Sequence, residues 1–220
     1  MRLVLVGPPG SGKGTQAELL TDRLKLRYIG TGDILRDAIR RGTDAGKLAE
    51  PFIKVGNLVP DAVVNDLVKE LFESPDAPRD FVLDGYPRTR AQAIAFDALS
   101  KKHHVQLDAV LNFKIDDEEV VSRIGGRRIC SNPACQAPYH ITARPPRKPG
   151  ICDRCGSPLT IRSDDKEETI RARLRVFHQN TDTLLEYYEK LGLLKNVPTT
   201  GEVEEIYADI LKQLPKTSSS

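Results

Sequence analysis

Residues 7 to 13 read Gly-Pro-Pro-Gly-Ser-Gly-Lys, and no other stretch narrows the possible folds as sharply. The pattern is the glycine-rich phosphate loop G-x-x-x-x-G-K, whose backbone amides turn inward around phosphate oxygens. It needs a strand before it and a helix after it, because the helix start adds unsatisfied N–H groups and a positive end. Leu3 to Val6 is a short, continuously apolar run of the kind that forms a buried parallel strand. After the loop, Ala17, Leu20 and Leu24 share one helical face. The context is therefore the required one, and Lys13 reaches terminal phosphates as a point charge. The residue after the lysine is Gly14, where the general motif has Ser or Thr, and Thr15 follows.

Further along, strands and helices alternate. Leu26 to Ile29 reads as a second strand, and Thr31 and Asp33 as caps of a helix with Ile34, Ala38 and Ile39 inside. Gly42 to Gly56 reads as short helical pieces and turns. Pro60 stands at a first helical turn ahead of Val63, Val64, Leu67 and Leu71. Phe81 to Asp84 reads as a third strand ending in a carboxylate, Ala91 to Leu99 as helix and Ala109 to Phe113 as a fourth strand. Asp164 and Asp165 ahead of Glu167 and Glu168 give a helix-start signature for a long amphipathic helix through Tyr188. Leu193 to Val197 reads as the last strand, Val203 to Leu211 as the last helix, and Thr217 to Ser220 as a frayed tail. The alternation predicts an α/β fold, a parallel sheet with helices on both faces.

Composition excludes several classes. Hydrophobic types make up 39% of the 220 residues, enough to bury a core, so disorder is not the main state. No run approaches about 18 consecutive apolar residues, so no membrane span is expected. The apolar start is too short for a signal peptide, which points to the cytoplasm. The formal charge is +2, without the large basic excess typical of nucleic-acid binders. That average hides an asymmetry. Gly125 to Ser163 holds seven Lys or Arg against the single acid Asp153, a formal +6, which leaves −4 for the rest.

Phosphoryl transfer needs charge stabilisation more than a protein nucleophile, and arginine clamps suit it. The candidates are Arg36, Arg88, Arg123, Arg127, Arg162 and Arg173. Any one alone is more often a solvated surface residue. Arg88 stands out because it follows strand-terminal Asp84, and ligands of open parallel sheets bind beyond the strands' carboxyl ends. Arg123 and Arg127 share a helical face if the helix persists to Gly126. Asp84 suits magnesium held through water, with a turn or capping role as its alternative.

All four cysteines fall in the basic stretch: Cys130-x4-Cys135, then Cys152-x2-Cys155. A short, proline-rich, apolar-poor segment needs a staple, and four thiolates suit a closed, structural zinc site. Reduced thiols without metal, disulfides and iron are the other readings. His140 competes as a ligand, but four cysteines already complete the shell.

Taken together, these residues resemble the adenylate kinases of the long-lid type with a zinc-bearing lid, over about residues 1 to 212. The matching stretches are Gly7 to Thr15, Thr31-Gly32-Asp33 with Arg36, Asp84 to Thr89 with Gln92, Arg123 with Gly126-Arg127-Arg128, and Asp164-Asp165 through Arg173. Gly14-Thr15 fits this family's loop. The resemblance implies the P-loop nucleoside-monophosphate-kinase fold, a five-stranded parallel sheet with two mobile inserted modules. Residues 1-29, 60-124 and 164-220 would form the core, 30-59 the AMP-binding module and 125-163 the lid. It implies the reaction MgATP plus AMP to two ADP, with Mg2+ and a structural Zn2+ on Cys130, Cys135, Cys152 and Cys155.

The same resemblance implies the residue roles. ATP would lie on Gly10, Gly12, Lys13, Gly14, Thr15, Arg123 and Arg127. AMP would lie on Thr31, Arg36, Asn57, Val59, Gly85, Arg88 and Gln92, with Gln92 on the adenine. Lys13, Arg88, Arg127, Arg162 and Arg173 would surround the transferring phosphoryl group, Arg162 and Arg173 also reaching AMP. Asp33 and Asp84 would stand on the magnesium side, and Asp164 and Asp165 would contact lid-closing groups. ATP, AMP and ADP are the partners implied; one chain completes the site, so a monomer suffices, with no nucleic acid or membrane partner.

Three positions depart from the family pattern: the four-residue gap of the first cysteine pair, Val197 to Thr200 without an aspartate-glycine, and Pro60 in place of threonine. Two alternatives stay open: UMP or CMP as acceptor or GTP as donor, and a zinc-ribbon nucleic-acid-binding switch using ATP as a signal.

Overall fold

The computed structural model describes residues 1–162 and 164–215. Ser163, at the expected edge of the basic insertion, and the expected tail from Thr217 to Ser220 lie outside them.

In chain order the elements are β1 (Arg2–Val6), α1 (Lys13–Leu24), β2 (Arg27–Gly30), α2 (Thr31–Arg41), α3 (Asp44–Lys54), α4 (Asp61–Glu73), β3 (Phe81–Asp84), α5 (Arg90–Lys102), β4 (Ala109–Phe113), α6 (Asp117–Gly125), β5 (Arg127–Cys130), β6 (Pro138–His140), β7 (Leu159–Thr160), α7 (Glu167–Lys190), β8 (Leu194–Val197) and α8 (Val203–Gln213). The main sheet is five-stranded in the order β2-β3-β1-β4-β8, and its four pairings are parallel. The expected α/β fold is present.

Both faces of the sheet are covered, which is why its strands are apolar without alternation. Val4 and Val6 face one cluster with Phe72, Phe81, Tyr86, Phe96 and Tyr188. Leu3 and Leu5 face the other with Ala17, Leu20, Tyr207 and Ile210. On the first face Phe72, Phe81 and Phe96 meet edge to face, with ring centroids 5.2 to 6.3 Å apart, an arrangement aromatic rings favour.

This order sets the site. Strand β1 lies between β3 and β4, so the chain leaves it toward opposite sides, and the crevice at such a switch point is where ligands bind. Leu5 pairs with Asp84 and Gly30 also pairs with Asp84. The phosphate loop, the start of α2 and the segment after β3 therefore emerge side by side.

Between α6 and α7 the chain forms a separate three-stranded sheet, β6-β5-β7. Its own core is Cys130, Ala137, Tyr139 and Cys152 with Cys135 and Leu159, too little apolar surface for stability without a cross-link.

Several local expectations are corrected. Gly42 to Gly56 holds one helix, α3, with Pro51 inside it; a single proline removes one backbone bond, and Thr43 caps the helix by accepting from the Gly46 amide. Thr31 and Asp33 do not cap α2. Gly30 takes that position without a side-chain bond, Thr31 donates to the Asp84 carbonyl, and Asp33 pairs with Arg36. Asp164 and Asp165 do not cap α7, which starts after Lys166, because both carboxylates are committed to arginines. Arg123 and Arg127 do not share a helical face: α6 ends at Gly125 and Arg127 opens β5.

Candidate active site

The loop after β1 makes a cradle. Gly10 has φ 78, and a Cβ there would sit 2.7 Å from Ile124 of α6, so only glycine fits. Gly12 caps α1, and Gly14 and Thr15 open the helix. The Lys13 ammonium donates to the carbonyls of Gly7 at 2.8 Å and Pro8 at 2.7 Å. Burial pulls its pKa down to about 8, with Arg88, Arg173 and Arg127 adding to the effect against Asp84.

Beside the cradle lies a cleft lined by Thr31, Arg36, Asn57, Val59, Gly85, Arg88, Gln92, Asp164 and Arg173 among others. Gly85 has φ 82 and a Cβ there would meet the Thr31 hydroxyl at 2.9 Å. Its carbonyl accepts from Arg88 Nε at 2.7 Å, and the short turn from Asp84 thus aims Arg88. Gln92 is 2% exposed on α5. Of the nine residues expected to reach AMP, eight line this one space; Arg162 is not among its lining residues.

The floor between cradle and cleft is a charge lattice. Arg173 donates to Asp164 at 3.1 Å, Arg36 lies 3.7 Å from the same carboxylate, and Arg162 lies 3.8 Å from Asp33. Arg127 grips Asp165 through both Nε and Nη2. Burial pushes the Asp164 carboxyl up, but Arg173, Arg36, Arg162 and Arg127 outweigh it and hold it below the carboxylate range. Burial also draws Arg173 down to about 10. Among the described residues Arg88 alone of these arginines makes no ion pair, so the lattice carries unbalanced positive charge where the cleft opens.

Tyr28 is a participant that sequence reasoning missed. Its hydroxyl lies 3.4 Å from Asp33 and 3.3 Å from Asp84, joining two carboxylates that are far apart in sequence. An all-oxygen donor set of this kind suits magnesium. Arg123 donates to the Thr199 carbonyl at 3.0 Å, which brings it to the Val197 to Thr200 segment at the mouth of the cradle.

The sulfurs of Cys130, Cys135, Cys152 and Cys155 lie within 4.8 Å of one another. Bonds of about 2.3 Å to a tetrahedral zinc put sulfurs about 3.8 Å apart; Cys130–Cys155 is 3.4 Å and Cys135–Cys152 is 3.7 Å. The four are free thiols, which removes the disulfide reading. The wide first gap is absorbed by a turn at Asn132, whose carbonyl accepts from Cys135 and whose side chain accepts from Ala134. His140 stays out of the cluster: its Nδ1 accepts from the amides of Thr142 and Ala143. Ser157 hydrogen bonds hold Cys155 down to about 6, while burial pushes Cys130 up to about 12.

A phosphate cradle at a sheet switch point, facing a second arginine-lined cleft, defines a P-loop enzyme of the nucleoside monophosphate kinase class. A family model described as adenylate kinase matches residues 5–193. The chain is 45% identical to an adenylate kinase of Methanothrix thermoacetophila over 216 residues, 98% of this chain and 99% of that protein. It is 46% identical to one of Archaeoglobus fulgidus over 219 residues, all of both chains. An adenylate kinase of Streptomyces coelicolor is 46% identical over 216 residues, 98% and 99% of the two chains. The chain belongs to the adenylate kinase family, and its function is that of an adenylate kinase.

Proposed function

We propose that the two clefts divide the reaction MgATP plus AMP to two ADP. ATP lies in the cradle formed by Gly10, Gly12, Lys13, Gly14 and Thr15, its base near Arg123, and AMP lies in the second cleft. The observation that carries this reading is the cleft shared by Arg88, Arg36, Thr31 and the buried Gln92, directly beside Lys13 and floored by Arg173.

AMP's phosphate is already anionic, so its oxygen attacks the γ-phosphorus of ATP without a strong general base. The chain's task is to align donor and acceptor in line and to exclude water. Lys13, Arg88, Arg127, Arg162 and Arg173 stabilise the charge spread over the transferring group. Those already paired with Asp164, Asp165 or Asp33 are held in place before substrate arrives. Asp33 and Asp84 would hold the magnesium that accompanies ATP, and the ion would neutralise phosphate charge.

Residues 30-59 act as the AMP-binding module and 125-163 as the lid, on a core of 1-29, 60-124 and 164-220. The four cysteines hold a structural zinc that supplies the small lid with its staple. The enzyme works as a cytoplasmic monomer, without nucleic acid or membrane; among the described residues no helix is long and apolar enough to cross a bilayer.

The test is coupled ADP production from ATP with AMP, CMP, UMP or GMP. Preference for AMP by at least about tenfold in kcat/KM is expected, because buried polar groups reject a base that leaves them unpaired. Equal or better use of CMP or UMP would refute the assignment.

A further inference from the structure

We infer that Asp61 is a positioning residue that sets which base the acceptor pocket accepts, by fixing the hydrogen-bonding polarity of the Gln92 amide. The inference rests on the proposed reading of Gln92 as the base-contacting residue.

A glutamine amide can present either of two edges, differing by a half-turn about its last bond, and its neighbours decide which. Here two neighbours decide it together. The Arg88 backbone N–H donates to Gln92 Oε1 at 2.7 Å, and an N–H has no use for an amino group there. On the other side Gln92 Nε2 donates to Asp61 Oδ1 at 2.7 Å, and a carboxylate accepts only. Reversing the amide would set donor against donor and acceptor against acceptor.

Asp61 is itself pinned. Its Oδ2 accepts from the Thr89 hydroxyl at 2.9 Å, and that hydroxyl accepts from the Gln92 backbone amide at 3.1 Å as the cap of α5. The Tyr86 hydroxyl adds a bond to the Gln92 carbonyl at 3.2 Å. Asp61 opens α4 while Gln92 lies in α5, so the contact ties two helices at the cleft wall.

After these bonds Gln92 keeps one Nε2 proton and one Oε1 lone pair. That pair forms a fixed donor–acceptor edge. Adenine answers it, N1 accepting and the 6-amino group donating. Guanine presents the reverse, an N1 proton and O6, and is refused as long as the amide cannot turn over.

Two sets of measurements decide. In the first, kcat and KM are measured with AMP and GMP, and KM for ATP, in the wild-type chain, Asp61→Ala and Asp61→Asn, with folding checked by circular dichroism. Asp61→Ala is expected to raise KM for AMP about tenfold and to cut the AMP/GMP ratio of kcat/KM at least tenfold, with KM for ATP unchanged. Asp61→Asn keeps an oxygen for Gln92 to donate to and is expected to recover most of the discrimination. A folded Asp61→Ala with the wild-type ratio overturns the inference and leaves the AMP reading intact. A wild-type chain that does not favour AMP overturns both.

The second needs no variant. In the wild-type chain the two Gln92 Nε2 protons are followed by NMR as AMP is added. One is expected to shift with AMP while the proton bonded to Asp61 holds its position; both shifting together, or neither, overturns the inference.

Discussion

Arg144, on the cysteine-bearing insertion, donates to the Glu18 carboxylate of α1 at 2.8 Å across 126 residues of chain. The other Glu18 oxygen takes Arg154, which stands inside the Cys152–Cys155 knuckle. Burial pushes the Glu18 carboxyl up, and the two arginines more than reverse it. One core carboxylate thus ties two points of the insertion over the phosphate cradle. Partly exposed ion pairs contribute about 0.5 kcal/mol each, so Glu18→Gln is expected to weaken closure by about 1 kcal/mol. Steady-state kinetics should show KM for ATP raised about fivefold with kcat undiminished, the difference shrinking in high salt.

Lys13 predicts a pH dependence. Its folded pKa of about 8 means that it loses its charge as pH rises through 8 in the free enzyme. Nucleotide phosphates favour the charged form and move that pKa upward in the complex. The profile of kcat/KM for ATP should therefore fall with an apparent pKa near 8, while the profile of kcat falls at higher pH. Lys13→Ala should lower kcat at least about a hundredfold at neutral pH.

Among the described residues Asp164 is the only carboxylate shared by Arg36 and Arg173. Asp164→Asn leaves clustered guanidiniums uncompensated, and breaking a buried pair costs about 3 kcal/mol. Urea unfolding checks this loss. Because the Asp164 pKa is depressed in the folded chain, its stabilisation is present above the ordinary carboxylate pKa near 3.8. It is lost as pH falls through the lower folded value. Phosphates restore the missing negative charge, so ATP plus AMP should raise Tm more in the variant than in the wild type.

How much of this was legible in sequence depended on chain distance. The phosphate loop and the cysteine knuckles are local patterns, so their residues and spacing carried their meaning. Asp84 and Arg88 were readable because a strand end and a four-residue turn relate them. Tyr28, Glu18 and Asp61 gave no such signal; Asp84, the insertion arginines and Gln92 reach them only through strand order and the packing of segments distant in sequence. Asp164 and Asp165 misled in the opposite direction. A local pattern suggested caps, but stronger charge-assisted bonds to distant arginines took both side chains. Arg127 fell on a strand because the helix ended one residue short of Gly126.

The cysteine cluster predicts a metal-dependent lid. Metal-replete protein should carry about one zinc per chain. Its removal by a chelator should lower Tm and speed amide exchange in 127–160, leaving the parallel sheet protected. Unchanged exchange without metal would show that the insertion's small core suffices alone.

Transfer between two nucleotides, with water kept out, is the claim on which the rest depends. Its most direct test is to incubate the enzyme with ATP labelled at the γ-phosphorus and unlabelled AMP and follow the label. The account predicts label in ADP formed from AMP, with less than about 1% released as inorganic phosphate, as water exclusion requires. Label released mainly as phosphate, with AMP unconsumed, would contradict it.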